Sequence, residues 1–118
     1  MKLIAFVGNN PETYGQISAL VNRMNCEKVI LVKDKKTSNP FQNSKCTSVD
    51  VDPSKDLISF RDEIREKLKK ELSNEMEVAL SIASGSGKEH MALISALLTL
   101  PVGIKFTAFT KKGVEFIS

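Results

Sequence analysis

Ser84-Gly85-Ser86-Gly87-Lys88 is the stretch of this chain whose residue types and spacing are best suited to hold an anion. Small residues in a turn leave backbone N–H groups uncovered, and a lysine adds a full positive charge. The apolar run Val78-Ala79-Leu80-Ser81-Ile82 precedes the turn and reads as a buried strand; the residues from Glu89 to Leu98 read as a helix. Uncovered amides at the positive end of a helix dipole, beside an ammonium, form a seat for phosphate. A Gly/Ser turn also forms without any ligand, so the turn alone does not decide the matter. A second polar segment, Gly8-Asn9-Asn10-Pro11-Glu12-Thr13, follows another apolar run. Asn9, Asn10 and Thr13 carry donors and acceptors that can read a base edge or a ribose hydroxyl. Helix capping and turn formation are their ordinary alternative uses.

Familiar fingerprints of phosphate and acyl chemistry are absent. When Gly87-Lys88 is aligned with the end of a P-loop, Ile82 occupies the place of its first glycine and Glu89 the place of its hydroxyl residue. The first loop has Asn10 where a dinucleotide fingerprint needs its second glycine. Ser84-Gly85-Ser86-Gly87 lacks the leading glycine of a strained nucleophile elbow. His90, the single histidine, falls on the first turn of the predicted helix and is a minor acid–base candidate. Met91 follows it, and methionine there most simply fills a core.

These loops need a scaffold, and the hydrophobic pattern supplies one. Leu3 to Val7 and Val29 to Val32 are continuous apolar runs, as in strands covered on both faces. Thr47 to Val51 alternates, which predicts a strand nearer an edge. Ile17, Leu20, Val21 and Met24 form one helical stripe within Thr13 to Met24. Leu57, Phe60, Ile64, Leu68 and Leu72 form another, on a helix expected to begin at Asp52-Pro53-Ser54. Its other face is a run of mixed charge that suits a solvated surface. A third helix is expected from Lys88 to Leu100, stopped by Pro101. Ile104 to Phe109 and Val114 to Ile117 flank Lys111-Lys112-Gly113 and predict a hairpin. The loop from Asp34 to Cys46 is the one long exposed segment and the expected mobile element. The order is strand, helix, strand, strand, helix, strand, helix, strand, strand. It predicts one α/β domain over 1–118: a three-layer Rossmann-like fold with a mostly parallel sheet and a C-terminal antiparallel β-hairpin. In such sheets ligands sit beyond the carboxyl ends of the strands, where strand order reverses. If the first and fourth strands are neighbours, the two polar loops face each other there.

The bulk numbers fit this picture. The chain has 118 residues, 42% of them hydrophobic, which suits one domain with a real core. A net charge of +3 is too small to argue for duplex DNA and is compatible with an anionic ligand. Cys26 and Cys46 match no metal-ligand spacing and read as reduced cysteines of a cytoplasmic protein. No apolar run reaches the roughly 20 residues of a membrane span. No cofactor or metal is called for.

With the loops so placed, the chain resembles the CRISPR-associated Rossmann-fold, or CARF, domains. That family ends its fourth strand in a turn of the type Ser/Thr-Gly-Gly-Thr-Lys, followed by a helix with an early methionine. The matching residues are Ser84, Gly85, Ser86, Gly87, Lys88 and Met91. Ser86-Gly87 stands where the family has Gly-Thr, which leaves open whether Ser84 or Ser86 meets ligand. Asn9, Asn10, Pro11 and Thr13 match the polar loop after the family's first strand. The resemblance implies a two-fold homodimer that binds cyclic oligoadenylate, such as cyclic tetra- or hexa-adenylate, across its interface. A chain of this length is expected to carry no separate effector domain, which points to action on the ligand itself. A ring nuclease needs no metal: the ribose 2′-OH attacks the adjacent phosphate and leaves a 2′,3′-cyclic phosphate. In that reading Lys88, Ser84 and Ser86 serve catalysis, while Asn9, Asn10, Thr13, Gly85, Gly87 and Met91 bind ligand. A non-catalytic sensor or sponge, and a generic Rossmann-like nucleotide-binding domain, are the alternatives.

Overall fold

The computed structural model describes all 118 residues, Met1–Ser118. The chain runs through β1 (Lys2–Val7), a 3-10 turn (Pro11–Thr13), α1 (Tyr14–Arg23), β2 (Val29–Asp34), β3 (Cys46–Val51), α2 (Leu57–Glu71), β4 (Glu77–Ser81), α3 (Gly87–Leu98), β5 (Gly103–Thr110) and β6 (Gly113–Phe116). These strands make one six-stranded sheet in the order β3-β2-β1-β4-β5-β6. All neighbours are parallel except the β5–β6 hairpin. The fold is therefore α/β with a mostly parallel sheet and an antiparallel C-terminal hairpin, as the pattern of apolar runs predicts.

The pleat explains how each run is used. Successive side chains of a strand point to opposite faces. Ile4, Phe6, Ile30, Val32, Val78 and Leu80 gather on one face with Phe60, Ile64 and Leu68 of α2 and Leu93, Ala96 and Leu97 of α3. Leu3, Ala5, Val7, Val29, Leu31 and Ala79 form a second cluster with Ile17, Leu20 and Val21 of α1. The runs carry no polar alternation because both of their faces are buried.

Two helix boundaries differ by more than one residue from the sequence expectation, each for a local reason. Helix α2 starts at Leu57 rather than at Asp52-Pro53-Ser54. The Asp52 carboxylate folds onto its own turn, accepting from Ser54 N at 3.1 Å and Ser54 Oγ at 2.6 Å. Asp56 caps the helix instead, its carboxylate accepting from Ser59 N at 2.9 Å. Helix α3 ends at Leu98 rather than Leu100, in tighter turns where Thr99 N and Leu100 N reach back to Ala96 O and Leu97 O. Pro101 disfavours helical geometry at the residue before it.

At the C-terminal rim the hairpin runs past the end of β4. β5 pairs with β4 only as far as Phe106. Beyond that point Gln16 of α1 replaces the missing neighbour. Its side-chain amide donates to Phe109 O at 2.7 Å and accepts from Phe109 N at 3.1 Å.

Candidate functional site

Strand order reverses between β1 and β4, since β1 leads outward to β2 and β3 while β4 leads outward to β5. The loops leaving these two strands meet as the rule for parallel sheets requires. Their meeting is a backbone contact. A Cβ placed on Gly8 would lie 2.6 Å from Gly85 Cα, so only glycine fits there. Gly85 itself has φ +107°, a conformation that favours glycine.

Ser84 bolts the two loops together. Its hydroxyl accepts from Gly8 N at 2.9 Å and faces Asn10 Oδ1 at 3.2 Å, to which it donates. Asn10 Oδ1 also accepts from Gly85 N at 3.4 Å. Ser84 is fully buried. Between the two serines left open by the sequence, Ser84 is thus an internal tie, and Ser86 is the one that reaches the surface. Tyr14 reinforces the corner by donating its hydroxyl to Gly8 O. Thr13 turns inward, its hydroxyl donating to Asn10 O at 2.7 Å, which fixes the 3-10 turn that Pro11 begins.

Ser86 caps α3 within a capping box. Ser86 Oγ accepts from Glu89 N at 3.2 Å, and the Glu89 carboxylate accepts from Ser86 N at 2.7 Å. The amides of Gly87 and Lys88 remain without intrahelical partners, as at any helix start. His90 closes the turn from below. Its Nε2 lies 2.7 Å from Ser84 O, and because a carbonyl only accepts, Nε2 carries the hydrogen.

Asn9, Asn10, Gly85, Ser86 and Glu89 line an open depression of about 340 Å³ above this corner. Of the sequence-predicted residues, the structure brings Asn9, Asn10, Gly85 and Ser86 together. It places Lys88 and Met91 elsewhere. The Lys88 ammonium points to the loop before α2, donating to Pro53 O at 2.9 Å and Lys55 O at 2.6 Å, and lies 5.9 Å from the centroid of the Phe60 ring. Met91 lines a separate groove with Leu57, Ile58 and Arg61. The depression therefore holds one carboxylate and no cationic side chain. The expectation that an ammonium sits over the glycine turn does not describe this geometry.

Two residues at the corner went unnoticed in the sequence. Glu89 had a signal, since Ser86 and Glu89 stand at the spacing of a capping box. Thr37 had none. Its hydroxyl donates to Asn9 Oδ1 at 3.0 Å, which attaches the loop between β2 and β3 to the site. The same loop packs Phe41 edge-on against Tyr14, with ring centroids 5.9 Å apart.

The carboxylates nearest α2 are held ionised. Hydrogen bonds from Ser59 N and its hydroxyl keep Asp56 below the usual aspartate range, and those from Ser54 do the same for Asp52. Burial pushes Glu63 up, but the Asp52 amide and the ammonium groups of Lys67 and Lys55 outweigh it, and the net shift is downward. No group of three or more His, Cys, Asp or Glu side chains is gathered as a metal site would need. No helix is long and apolar enough to cross a membrane.

No family model, no curated protein and no solved structure matches this chain.

Proposed function

We propose that this chain binds a cyclic oligoadenylate at the corner where β1 and β4 end. The observation that carries the reading is the locked pair of loops at the strand-order reversal, with Asn9, Asn10 and Ser86 around an open depression. It is joined by the resemblance of the turn Ser84–Lys88 to CARF domains. A three-layer Rossmann-like arrangement belongs to this reading, supported by α1 packing on one sheet face and α2 and α3 on the other. The two asparagine amides suit base edges and ribose hydroxyls, while the Glu89 carboxylate is engaged in the cap by Ser86 N. The phosphates lie outside the glycine turn, away from the negative charge of Glu89. A second copy completes the site, because a ring with a two-fold axis presents the same groups to both halves of an isologous dimer.

Binding without cleavage fits this geometry best. Lys88 is engaged by main-chain carbonyls and Ser84 is buried, so neither stands ready to stabilise a pentacoordinate phosphorus. Ring cleavage is the second reading, and one observation favours it. The exposed Lys88 ammonium hydrogen-bonds only main-chain carbonyls and forms no ion pair, so a phosphate that offers a full charge can draw it away.

A thermal-shift titration with cyclic tetra- and hexa-adenylate separates the readings, because a ligand bound only by the native state raises the melting temperature. A shift without linear products in EDTA establishes a binding module. Linear products that vanish in Lys88→Ala establish a ring nuclease. No shift with either ring removes both and leaves a generic nucleotide-binding domain, to be probed with mononucleotides. Light scattering with and without the ring tests the dimer.

A further inference from the structure

Helix α3 is apolar all the way round. Ala92, Leu93, Ala96 and Leu97 are buried on its inner side. Met91 and Leu98 stand at i and i+7 on its outer side, 59% and 71% exposed, with the small Ser95 between them. From Met91 to Ile104 the chain carries no ionisable side chain. A solvated helix keeps polar and charged residues on its outer face, and one that is apolar all round is buried against something. Helix α2 continues the patch. Ile58 is 56% exposed, and Ile58, Arg61, Met91 and Ser95 line a groove of about 210 Å³ between the two helices. α2 and α3 run side by side in the same direction. Lys88 at the start of α3 reaches the loop before α2, and Leu72 and Leu100, just past the two helix ends, line one cavity.

We propose that this face docks a second copy of the chain, about a two-fold axis that runs along the groove between α2 and α3. Such an axis lays α2 of one copy on α3 of the other, and every contact occurs twice. Met91 and Ile58 of each copy fill the groove of the other. Three features select a second copy as the occupant. The central stripe is uncharged, so laying it on itself buries no like charges. The flanking charges are complementary. α2 brings Arg61 and Arg65 to an α3 that has no basic residue in its last turn, and the carbonyl end of a helix favours a cation. The area is also sufficient. The 12 residues of α3 extend about 18 Å at 1.5 Å per residue, and two helices side by side are about 20 Å wide. That outline is on the order of 400 Å² per copy and larger as accessible area, the size of a weak, reversible interface. The same axis leaves both β1–β4 corners on one side of the dimer. The face stands on its own observations; this orientation rests on the function proposed above, which calls for a second copy at the corner.

Sedimentation velocity on the nucleotide-free chain, from roughly 10 to 500 µM, tests it. A dimer that dissociates on dilution is expected. Met91→Glu and Leu98→Glu alter exposed positions, so each is expected to keep the parent's circular dichroism and to weaken association at least tenfold. Ile117→Glu, at a position 70% exposed beside the hairpin, is expected to leave association unchanged. Amide NMR of the unaltered chain needs no variant: dilution is expected to move the signals of Ile58, Met91 and Leu98 and to leave that of Ile117 in place. A monomer at every concentration overturns the proposal. So does a dimer that survives both α3 variants, or dilution shifts that fall on the hairpin instead. A dimer that binds no cyclic adenylate upholds the face and removes the functional reading, whereas a monomer that binds one does the reverse.

Discussion

Replacing Ser84 by alanine separates a tie from a catalytic group. The substitution removes the acceptor at 2.9 Å from Gly8 N, and both Gly8 and Ser84 are buried. A buried N–H left without a partner costs about 1–3 kcal/mol. The bond to Asn10, which is half exposed, adds about 0.5 kcal/mol because water replaces it in part. The expected loss is about 1.5–3.5 kcal/mol. An unfolding entropy of about 2.1 cal/mol/K per residue gives roughly 0.25 kcal/mol/K for 118 residues. Each kcal/mol then lowers the melting temperature by about 4 °C, and Ser84→Ala lowers it by about 6–14 °C. Ser86→Ala is the internal control. It removes an exposed helix cap worth about 1 kcal/mol and lowers the melting temperature by about 4 °C. Calorimetry or circular dichroism melts of the three proteins at pH 7 decide the matter. A Ser84→Ala protein that melts within 2 °C of the parent, or above Ser86→Ala, refutes the assignment of Ser84 as the bolt of the corner.

The other expectations concern the same corner and its supports. Gly8→Ala places a Cβ 2.6 Å from Gly85 Cα, so the loops must part; the expected destabilisation is about 3 kcal/mol or more by urea unfolding, and a change under 1 kcal/mol contradicts the close contact. Glu89→Gln keeps the capping geometry but removes a charge worth about 0.3–1 kcal/mol at the helix start, so stability falls slightly while affinity for a phosphate-bearing ligand at the corner rises about two- to fivefold in calorimetric titration. Asp56 has its folded value depressed, so its contribution to stability is present above the unfolded aspartate value of about 3.9 and is lost as pH falls through the lowered one. Melting temperature is therefore expected to decline below about pH 4, and Asp56→Asn, which retains a capping oxygen, is expected to flatten that decline. An unchanged acid slope counts against the Asp56 cap.

The apolar runs made the architecture readable, because a strand buried on both faces and a helix buried on one write different periods into the chain. The meeting of the two polar loops was readable as well. It follows from parallel connectivity once β1 and β4 are neighbours, which the structure shows. The start of α2 was harder, because Asp52 and Asp56 both have cap chemistry and only the local turn at Ser54 separates them. The direction of Lys88 was not readable at all. Its partners, Pro53 and Lys55, come from a loop more than 30 positions earlier that the packing of α2 against α3 brings beneath it. The choice between Ser84 and Ser86 likewise depended on burial, which two identical residue types in one turn cannot express. Glu89 was legible as a cap, and the depth to which its charge changes the chemistry of the depression followed only from the geometry.

The grip of Gln16 on Phe109 reaches across 93 positions of chain. An early helix thus holds the last strand pair where β4 no longer does. A polypeptide emerging in order from its N-terminus can dock α1 on the sheet long before the hairpin exists. The hairpin then finds a waiting amide, and the part of it that overruns β4 is held by residues made first. Loss of that amide would leave Phe109 N and O without this partner, while the ladder from Glu77 to Leu80 would still fix the register of β5 on β4.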